Sequence, residues 1–593
     1  MLERSGQLRS IVLRAALLSV AFMWSTSKAD SPPDQFNEFT IAQFQDLMNR
    51  HRLTSRELTE FYLDRIAALD QPHNGENDNG ENEHGTGVNS IIELNPDALS
   101  LAREADRLRD RGVVLGPLHG IPVLLKDNID TGDRMQTTAG SFALFGTPAT
   151  FDSTVAAKLR AGGAVILGKT NLSEWANFRS FFSTSGWSGR GGLVHNPYSL
   201  DRNACGSSSG SAASVAANFS AVGLGSETDG SIVCPANVNS VVGIKPTVGL
   251  TSRGGVVPIS HTQDTVGPHG RTVADAATVL NVIVSRTPDP RDPATAGVPL
   301  GWEGTGRTRP TLPPDYTAFL DPNGLSGKRL GVSREGIDDV APPQVIAVFD
   351  AALAAIQAAG ATLVNLPAGT ITPASGEIEV LLFDFKLDVA SYFHTRVGVP
   401  VAGGTLADAI AFNSAHADTE MPYFFQELFQ LANAMVTSGP DPGNNPQPIF
   451  GGRTYNQARM LDHNAGVSLD AVLANNHLDA IVAPTDSPGW TTDLLLSDHF
   501  LFASSGLAGG PGYPIVQVPA GNVLGMPQGI SFIGTAFSEP TLIRLASGFE
   551  ARTHARILPT FVGNITTAHT GRSSPMAEPE PPKTFNGRAH HRM

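Results

Sequence analysis

The most informative part of the chain reads Gly225-Ser226-Glu227-Thr228-Asp229-Gly230-Ser231-Ile232-Val233-Cys234-Pro235. Thr228 to Ser231 can form a tight turn whose successive N–H groups converge on one point, which is the geometry that an oxyanion hole requires. Ser231 would then lie beside its own oxyanion hole. This places Ser231 among the candidate nucleophiles.

A second cluster of small residues lies upstream and reads Ala204-Cys205-Gly206-Ser207-Ser208-Ser209-Gly210-Ser211-Ala212-Ala213. Small residues let backbones approach closely, and a helix start presents free N–H groups to negative charge. A phosphate cradle would end in Gly-Lys-Ser/Thr, which is missing here, so that interpretation is disfavoured. Gly206 to Gly210 also fits the nucleophile elbow of α/β-hydrolases, with Ser208 as nucleophile and an acid and a His required downstream. In the third interpretation the cluster works together with the turn at Ser231.

A serine nucleophile needs a base, and the best-placed candidate upstream is Lys126. It follows the apolar run Ile121 to Leu125 and precedes Asp127 and Asn128. A lysine at the end of a buried strand can be desolvated so that its amine is neutral near pH 7, and Ser-Lys pairs are a known variant of the hydrolytic triad. Spacing alone favours the alternative, in which Lys126 is a solvated strand end.

Together these residues resemble the amidase signature family, whose hallmark is a Lys, a Gly-Ser-Ser-Gly cluster and a second Ser in a Gly-Gly-Ser-Ile type turn. The interval from Ser207 to Ser231 is similar to the one that this family keeps between its catalytic serines. The resemblance covers roughly residues 40 to 560. Further segments that look like family blocks are Gly116–Pro122, Leu167–Trp175, Val242–Thr247, Gln263–Pro268, Ala483–Thr485 and Gly512–Pro514.

The resemblance implies a Ser-Ser-Lys triad, with Ser231 as the acyl-forming nucleophile, Ser207 as the bridging serine and Lys126 as the base. It implies an oxyanion hole made by the backbone N–H groups of Thr228, Asp229, Gly230 and Ser231. Ser208 and Ser209 become structural, which removes the nucleophile elbow. No metal and no organic cofactor is implied.

The turn departs from the commoner family pattern Gly-Thr-Asp-Thr-Gly-Gly-Ser-Ile-Arg. Glu227 stands in place of Asp, Asp229 in place of Gly and Val233 in place of Arg. None of these changes removes a catalytic group, and the turn is similar to that of the branch that contains bacterial peptide amidase. The resemblance therefore implies a stand-alone serine amidohydrolase and not the amidotransferase subunit that uses glutamine.

The expected reaction cleaves a linear carboxylic amide C–N bond through an acyl-enzyme on Ser231 and gives an acid plus ammonia or an amine. The expected partner is a small-molecule or peptide amide, a peptide C-terminal amide being one such substrate. Two alternatives stay open: an esterase or acyltransferase with the same triad, and a catalytically dead secreted binding protein. The acyl pocket is expected to be lined by loops such as those around Phe181 and Phe182 and at residues 438–453.

The pattern of elements predicts an α/β fold. Strand and helix patterns alternate from Val88 to about Val284 without a linker-like break. The resemblance implies a large mixed β-sheet sandwiched between helices in a single domain. We place the amidase domain at residues 30–565 and a flexible C-terminal tail at residues 566–593, where periodicity is lost. Apolar spacing over residues 39–69 predicts two helices, with Thr54 and Ser55 as caps between them.

The N-terminus indicates export. Arg4, Arg9 and Arg14 precede the apolar run Ala15 to Trp24, and polar residues follow up to Ala29. This order is typical of a secretory signal peptide, which we place at residues 1–29, so the mature protein is expected to be secreted or periplasmic. The alternatives are a buried N-terminal helix or a short membrane anchor. No later stretch approaches the about 18 apolar residues of a spanning helix, so no membrane association is expected after cleavage.

Composition limits the partners. The 593 residues include 41 Lys and Arg and 56 Asp and Glu, which gives a formal net charge of -15. Nucleic acid and anionic membrane surfaces need a basic footprint, so neither is expected to bind. The sequence predicts no particular oligomeric state.

The 2 cysteines exclude a disulfide framework and a four-thiolate zinc site. Cys205 and Cys234 flank the two candidate serines, so they are expected in one neighbourhood, either as buried thiols or as a disulfide. Thiols are favoured, because cores of small residues accommodate free cysteine readily. For Lys169, Lys245 and Asp264, which fall in family blocks, stabilisation of strand ends or turns is the favoured role.

Overall fold

The structure is a computed structural model that describes residues 35–70, 87–437 and 453–565. The predicted signal peptide at residues 1–29 and the predicted tail at residues 566–593 lie outside the described residues. From Glu38 onward the described residues form one compact unit. The domain bounds of 30 and 565 stay a prediction.

The strands of the described residues build a large mixed sheet of 11 members and two small two-stranded sheets. The large mixed sheet confirms the predicted α/β class. In chain order the strands are β1 (Ile91–Leu94), β2 (Pro122–Lys126), β3 (Val165–Thr170), β4 (Trp187–Ser188), β5 (Gly192–Leu193), β6 (His195–Asn196), β7 (Ser199–Asn203), β8 (Val222–Glu227), β9 (Val242–Lys245), β10 (Thr265–Gly270), β11 (Arg329–Ser333), β12 (Thr362–Leu366), β13 (Ala480–Pro484), β14 (Ile515–Val523) and β15 (Met526–Ile533).

The large sheet has the order β1-β3-β2-β8-β10-β9-β14-β15-β13-β11-β12. Its two ends contain parallel pairs: β2 runs parallel to β3 and to β8, and β11 runs parallel to β13 and to β12. The middle is antiparallel, because β10 opposes β8 and β9, and β14 opposes β9 and β15. Parts distant in the chain therefore share one sheet, as the single-domain expectation requires.

The described helices surround this sheet, and none of them is long and apolar enough to cross a membrane. In chain order the α-helices are α1 (Ile41–Asn49), α2 (Ser55–Leu69), α3 (Ala98–Asp110), α4 (Thr154–Ala161), α5 (Ser209–Ala216), α6 (Val233–Val238), α7 (Val273–Ile283), α8 (Pro343–Ala358), α9 (Glu377–Phe393), α10 (Leu406–Ala415), α11 (Ala417–Glu420), α12 (Glu427–Ala434), α13 (Tyr455–Asn475) and α14 (Glu539–Thr553).

The predicted pair of helices near the start is confirmed as α1 and α2, with one change at the cap. Thr54 caps α2: its hydroxyl accepts the N–H of Glu57, whose carboxylate accepts the N–H of Thr54. Ser55 is the first helical residue and no cap, because its hydroxyl donates to the carbonyl of Gly120 at 2.7 Å. That bond ties α2 to the segment that enters β2.

The two faces of the sheet pack against different helices, because successive side chains of a strand point to opposite sides. In β13, Val482 joins a core made with α7, α8 and α14, whereas Ile481 joins a core made with α13. In β14, Val516 lies in the first of these cores and Ile515 lies in the second. Helices thus cover both faces of this part of the sheet, which is the sandwich that the resemblance implied.

Two neighbouring strands bring chemistry-bearing residues to one edge. β2 ends at Lys126 and β8 ends at Glu227, and the two strands are parallel partners. Because the carboxyl ends of parallel strands meet at the same edge of a sheet, the segments that follow them lie side by side. A further apolar cluster packs α9, α10 and α12 around Trp175 and Phe178.

Candidate active site

Lys126 is fully buried, with 0% of its surface exposed, so the interpretation as a solvated strand end is wrong. Its ammonium nitrogen lies 2.7 Å from Ser207 Oγ and 3.0 Å from Ser208 Oγ. Ser226 adds two contacts, at 3.0 Å through Oγ and at 3.2 Å through its carbonyl oxygen. Every contact of the lysine nitrogen is therefore with a neutral oxygen.

This environment favours the neutral amine. Burial lowers the pKa of Lys126 to about 7, although the carboxyl groups of Asp264 and Glu227 act in the opposite direction. A substantial fraction of the side chain is thus unprotonated near pH 7. In that form its nitrogen can accept a proton from the Ser207 hydroxyl, which is its shortest contact.

The serine cluster leads directly into α5 and divides its hydroxyl groups between two tasks. Ser207, which follows a cis peptide bond, contacts Lys126. Ser208 Oγ donates to the carbonyl of Ser226 at 3.0 Å and accepts the N–H of Ser226 at 3.2 Å. Ser209 Oγ donates to the carbonyl of Cys205. The Ser209 hydroxyl therefore holds backbone in place, as expected, whereas the Ser208 hydroxyl holds backbone and also lies 3.0 Å from the Lys126 nitrogen.

The turn from Thr228 to Ser231 is held by the carboxylate of Glu227. This carboxylate accepts the N–H groups of Gly230 at 3.0 Å, Ile232 at 2.6 Å and Val233 at 3.0 Å. The turn needs a glycine, because Gly230 has φ of +79°. Of the four N–H groups expected to form an oxyanion hole, that of Gly230 is thus already engaged by Glu227.

Asp264 supports the same turn from the other side. Its carboxylate accepts the Thr228 hydroxyl at 2.6 Å and the N–H groups of Ile259 and Ser260 at 2.8 and 3.0 Å.

Two buried lysines from the family blocks donate to backbone carbonyl groups. The Lys169 ammonium donates to the carbonyls of Ile129 and Gln136. The Lys245 ammonium donates to the carbonyl of Tyr513. These contacts agree with the turn- and strand-end-stabilising roles predicted for the three residues.

Ser231 lies at the wall of a pocket of about 520 Å³, with 8% of its surface exposed. The pocket is lined by the turn itself and by apolar side chains that include Phe178, Phe181 and Leu381. Phe181 thus lines the pocket as predicted, whereas residues 438–452 lie outside the described residues. The two serine segments touch directly, since the N–H of Ser208 donates to the Ser231 carbonyl at 3.1 Å. The structure therefore gathers Lys126, Ser207 and Ser231 at one place, with Ser231 facing the pocket.

Cys205 and Cys234 form a disulfide, so the expectation of free thiols is wrong. A core of small residues can accommodate free cysteine, but here the two cysteines also lie close to each other. The contact between the two serine segments places the Cα atoms 6.0 Å apart, within the range that a disulfide needs. The bond joins the cluster that holds Ser207 to the first turn of α6, directly after Ser231.

The sequence interpretation missed several residues of the site. Ser226 Oγ contacts Lys126 and also accepts the amide of Asn128 at 2.9 Å. The position of Asn128, two residues after Lys126, could have suggested this contact. Glu377 and Trp490 line the pocket from distant parts of the chain, and no local pattern marks them.

One group of described residues could hold a metal ion, and none of its members is among the residues that line the pocket. His261, Asp384 and Asp388 place one ligand atom each within 4.8 Å of one another. The carboxylate of Asp384 already accepts the hydroxyls of Ser260 and Tyr455 at 2.6 Å. These hydrogen bonds give both oxygens of the Asp384 carboxylate a partner without an ion.

The family model described as Amidase matches residues 57–543. A probable amidase of Arabidopsis thaliana is 41% identical over 565 residues, which cover 92% of this chain and 97% of that protein.

Two solved structures share the architecture. The native peptide amidase from Stenotrophomonas maltophilia is 45% identical, with a TM-score of 0.76 over 89% of this chain and 100% of that one. The peptide amidase PAM in complex with the competitive inhibitor chymostatin is 44% identical, with a TM-score of 0.77 over 88% of this chain and 99% of that one.

Proposed function

The chain belongs to the amidase family and is a hydrolase of amide C–N bonds, and we propose that it removes the terminal carboxamide of peptide-like substrates through an acyl-enzyme on Ser231. One observation carries the proposed mechanism. A fully buried lysine whose pKa lies at about 7 contacts Ser207 Oγ at 2.7 Å, next to the turn that presents Ser231 to a pocket. The peptide substrate is suggested by the likeness to peptide amidase.

The first half of the reaction forms an ester. Neutral Lys126 takes the hydroxyl proton of Ser207 while Ser207 takes that of Ser231, and Ser231 Oγ attacks the amide carbonyl carbon. The developing oxyanion is stabilised by the N–H groups of Thr228, Asp229 and Ser231, while the N–H of Gly230 stays on Glu227. The C–N bond then breaks, and the proton returns through Ser207 to the departing ammonia or amine.

The second half hydrolyses the ester by the same relay. A water molecule enters after the amine has left and gives its proton through Ser207 to Lys126. The resulting hydroxide attacks the acyl carbon, and the proton passes back to Ser231 Oγ as the carboxylic acid leaves. The net reaction consumes one amide and one water and yields one acid and one ammonia or amine.

The experiment compares ammonia release from peptide amides by the parent and by single-residue variants. Ser231→Ala and Lys126→Ala are expected to lose almost all activity. Ser209→Ala is the matched control, because the Ser209 hydroxyl lies in the same cluster and only donates to the Cys205 carbonyl. A fluorophosphonate should add its mass to the parent and not to Ser231→Ala. Activity near that of the parent in either Ser231→Ala or Lys126→Ala would refute the assignment.

The same enzyme preparation is used to test the alternative that the protein is an esterase or acyltransferase. Matched peptide amide and peptide methyl ester substrates are offered to the parent enzyme, with and without hydroxylamine as a competing acceptor. The proposal expects hydrolysis of the amide with water as the main acceptor. Turnover of the ester alone would support the esterase.

We further propose that residues 1–29 direct export and are removed. The order of arginines, apolar run and Ala29 supports this, and so does the Cys205–Cys234 disulfide, because disulfides persist mainly in oxidising compartments. Expression of the full chain in a secreting host, followed by N-terminal sequencing, is expected to give a mature start near residue 30. Retention in the cytosol with the N-terminus intact would contradict the proposal.

A further inference from the structure

The pocket in front of Ser231 has a one-sided charge. Among the described residues that line it, four side chains are acidic and no side chain is basic. The acidic residues are Asp229, Glu377, Asp486 and Asp498. They come from the turn after β8, from the start of α9 and from the loop that follows β13. Within the described part of the chain, none of them makes an ion pair with Lys, Arg or His.

The hydrogen-bond partners of these carboxyls are neutral. Glu377 accepts the amide of Gln263 at 2.8 Å, Asp486 the N–H of Ser487 at 2.8 Å, and Asp498 the N–H and hydroxyl of Ser185 at 3.0 and 2.5 Å. Asp229 Oδ1 is buried and has no hydrogen-bond partner among the described residues. Neutral donors satisfy some of the oxygens but bring no positive charge.

Lys245 compensates only two of these carboxyls, and only in part. Lys245 is buried behind the turn, and its ammonium donates to the Tyr513 carbonyl at 2.7 Å. It acts to lower the pKa of Asp229 and Glu377, yet burial raises the pKa of both, and the Asp229 carboxyl raises that of Glu377 further. Burial raises the pKa of Asp486 and Asp498 as well. A buried carboxylate without a counter-charge is costly. The pocket therefore lacks the positive charge that would stabilise its carboxylates.

We propose that the substrate supplies this charge: the acyl part of the amide carries an ammonium or guanidinium group that binds among Asp229, Glu377 and Asp486. The inference rests on the proposed function and names the substrate class of the same site. A primary amide loses only ammonia, so most of the volume of about 520 Å³ is left for the acyl part. A carboxylate in that position is repelled, which disfavours acidic amides.

The apolar wall fits the same kind of substrate. Ile378 and Leu381 follow Glu377 on α9 and line the pocket with Leu428 and Trp490. Long cationic side chains bury their methylene groups against apolar surface and extend their charged ends to acidic groups. A lysine or arginine side chain next to the scissile carboxamide can therefore use both parts of the pocket.

The test uses three amides of similar size that differ in charge. These are N-acetyl-lysinamide, N-acetyl-norleucinamide and the α-amide of N-acetyl-glutamic acid, measured with the parent enzyme at pH 8 and low salt. We expect kcat/KM for lysinamide to exceed that for norleucinamide by about tenfold, which corresponds to about 1.4 kcal/mol. The acidic amide should be slower than norleucinamide. Equal kcat/KM values for lysinamide and norleucinamide would overturn the inference.

Variants then assign the preference to the pocket. The double variant Glu377→Gln/Asp486→Asn is expected to reduce the lysinamide preference to about twofold or less, and norleucinamide turnover should change less than lysinamide turnover. Asp388→Asn is the matched control, because Asp388 lies on the same helix as Glu377 but outside the pocket, and it should keep the preference. An unchanged preference in the double variant would overturn the inference.

The two proposals fail in different ways. If norleucinamide is hydrolysed as well as lysinamide, the charge preference is absent while the proposed amidase mechanism stands. If none of the three amides, nor any peptide amide, releases ammonia, the proposed function fails and this inference with it. Should the double variant fail to fold, the comparison of substrates on the parent enzyme decides alone.

Discussion

The pH dependence of amide hydrolysis tests the proposed role of Lys126 directly. Only the neutral amine can accept a proton, and burial lowers the pKa of Lys126 to about 7 against the opposing carboxyls of Asp264 and Glu227. As pH rises through this value the neutral form appears, so kcat/KM should rise and then level off. The neutral fraction is about 9% at pH 6 and about 91% at pH 8, a gain of about tenfold.

An ordinary lysine behaves differently over the same range. With a pKa of about 10.4, its neutral fraction would increase about a hundredfold from pH 6 to pH 8 and would continue to rise beyond pH 10. The position of the plateau thus separates the two cases. The difference between them arises from burial, which is the largest influence on this side chain.

The assay is the initial rate of ammonia release from a peptide amide, well below KM, at half-unit steps from pH 5 to pH 10. Asp264→Asn gives the direction of the electrostatic effect: it removes a negative charge that raises the pKa of Lys126, so the midpoint should move to lower pH. A profile of the parent that still rises tenfold per unit above pH 9, or a midpoint that moves upward in Asp264→Asn, would refute the reasoning.

Three further predictions concern the frame around the site. In Glu227→Ala the turn loses the carboxylate that holds it, so its N–H groups should lose their position as oxyanion donors. We expect kcat to fall by about a hundredfold with a smaller change in KM. Steady-state kinetics in which KM alone changes would contradict this prediction. Replacing Cys205 and Cys234 together by Ser removes a cross-link of sequence separation 29 and should cost about 3 to 4 kcal/mol of unfolding free energy, measured by denaturant titration against the oxidised parent. Arg179→Met leaves Glu174 buried without its partner and should cost about 3 to 5 kcal/mol, whereas Arg50→Met, at an exposed pair, should stay within about 1 kcal/mol in the same titration.

Local patterns were sufficient for the parts of the site that are contiguous in sequence. The turn at Ser231 and the cluster at Ser207 are each built by neighbouring residues, so their Gly and Ser content already describes their shape. Lys126 is harder, because its apolar run predicts a strand but cannot show that the strand lies between two other strands of a sheet. Its burial follows from pairing with β3 and β8, which lie far downstream.

Long-range geometry explains what local patterns could not predict. The disulfide depends on the distance between two segments, and that distance follows from the contact of Ser208 with Ser231. The acidic lining of the pocket depends on α9 and on the loop after β13, which are far from the turn at Ser231 in the chain and meet it only through the fold. A single acidic residue in a polar loop has no local feature that marks it as part of a pocket wall.

Glu227 and Asp264 link the geometry of the site to the protonation of the proposed base, Lys126. Both carboxylates accept groups of the turn, through the N–H groups of Ile232 and Val233 and through the Thr228 hydroxyl, and both raise the pKa of Lys126 against the effect of burial. A buried lysine without them would be neutral at lower pH but a weaker base, since a lower pKa means a weaker hold on the proton. The same two side chains therefore shape the turn and keep the amine basic enough to take a proton near neutral pH.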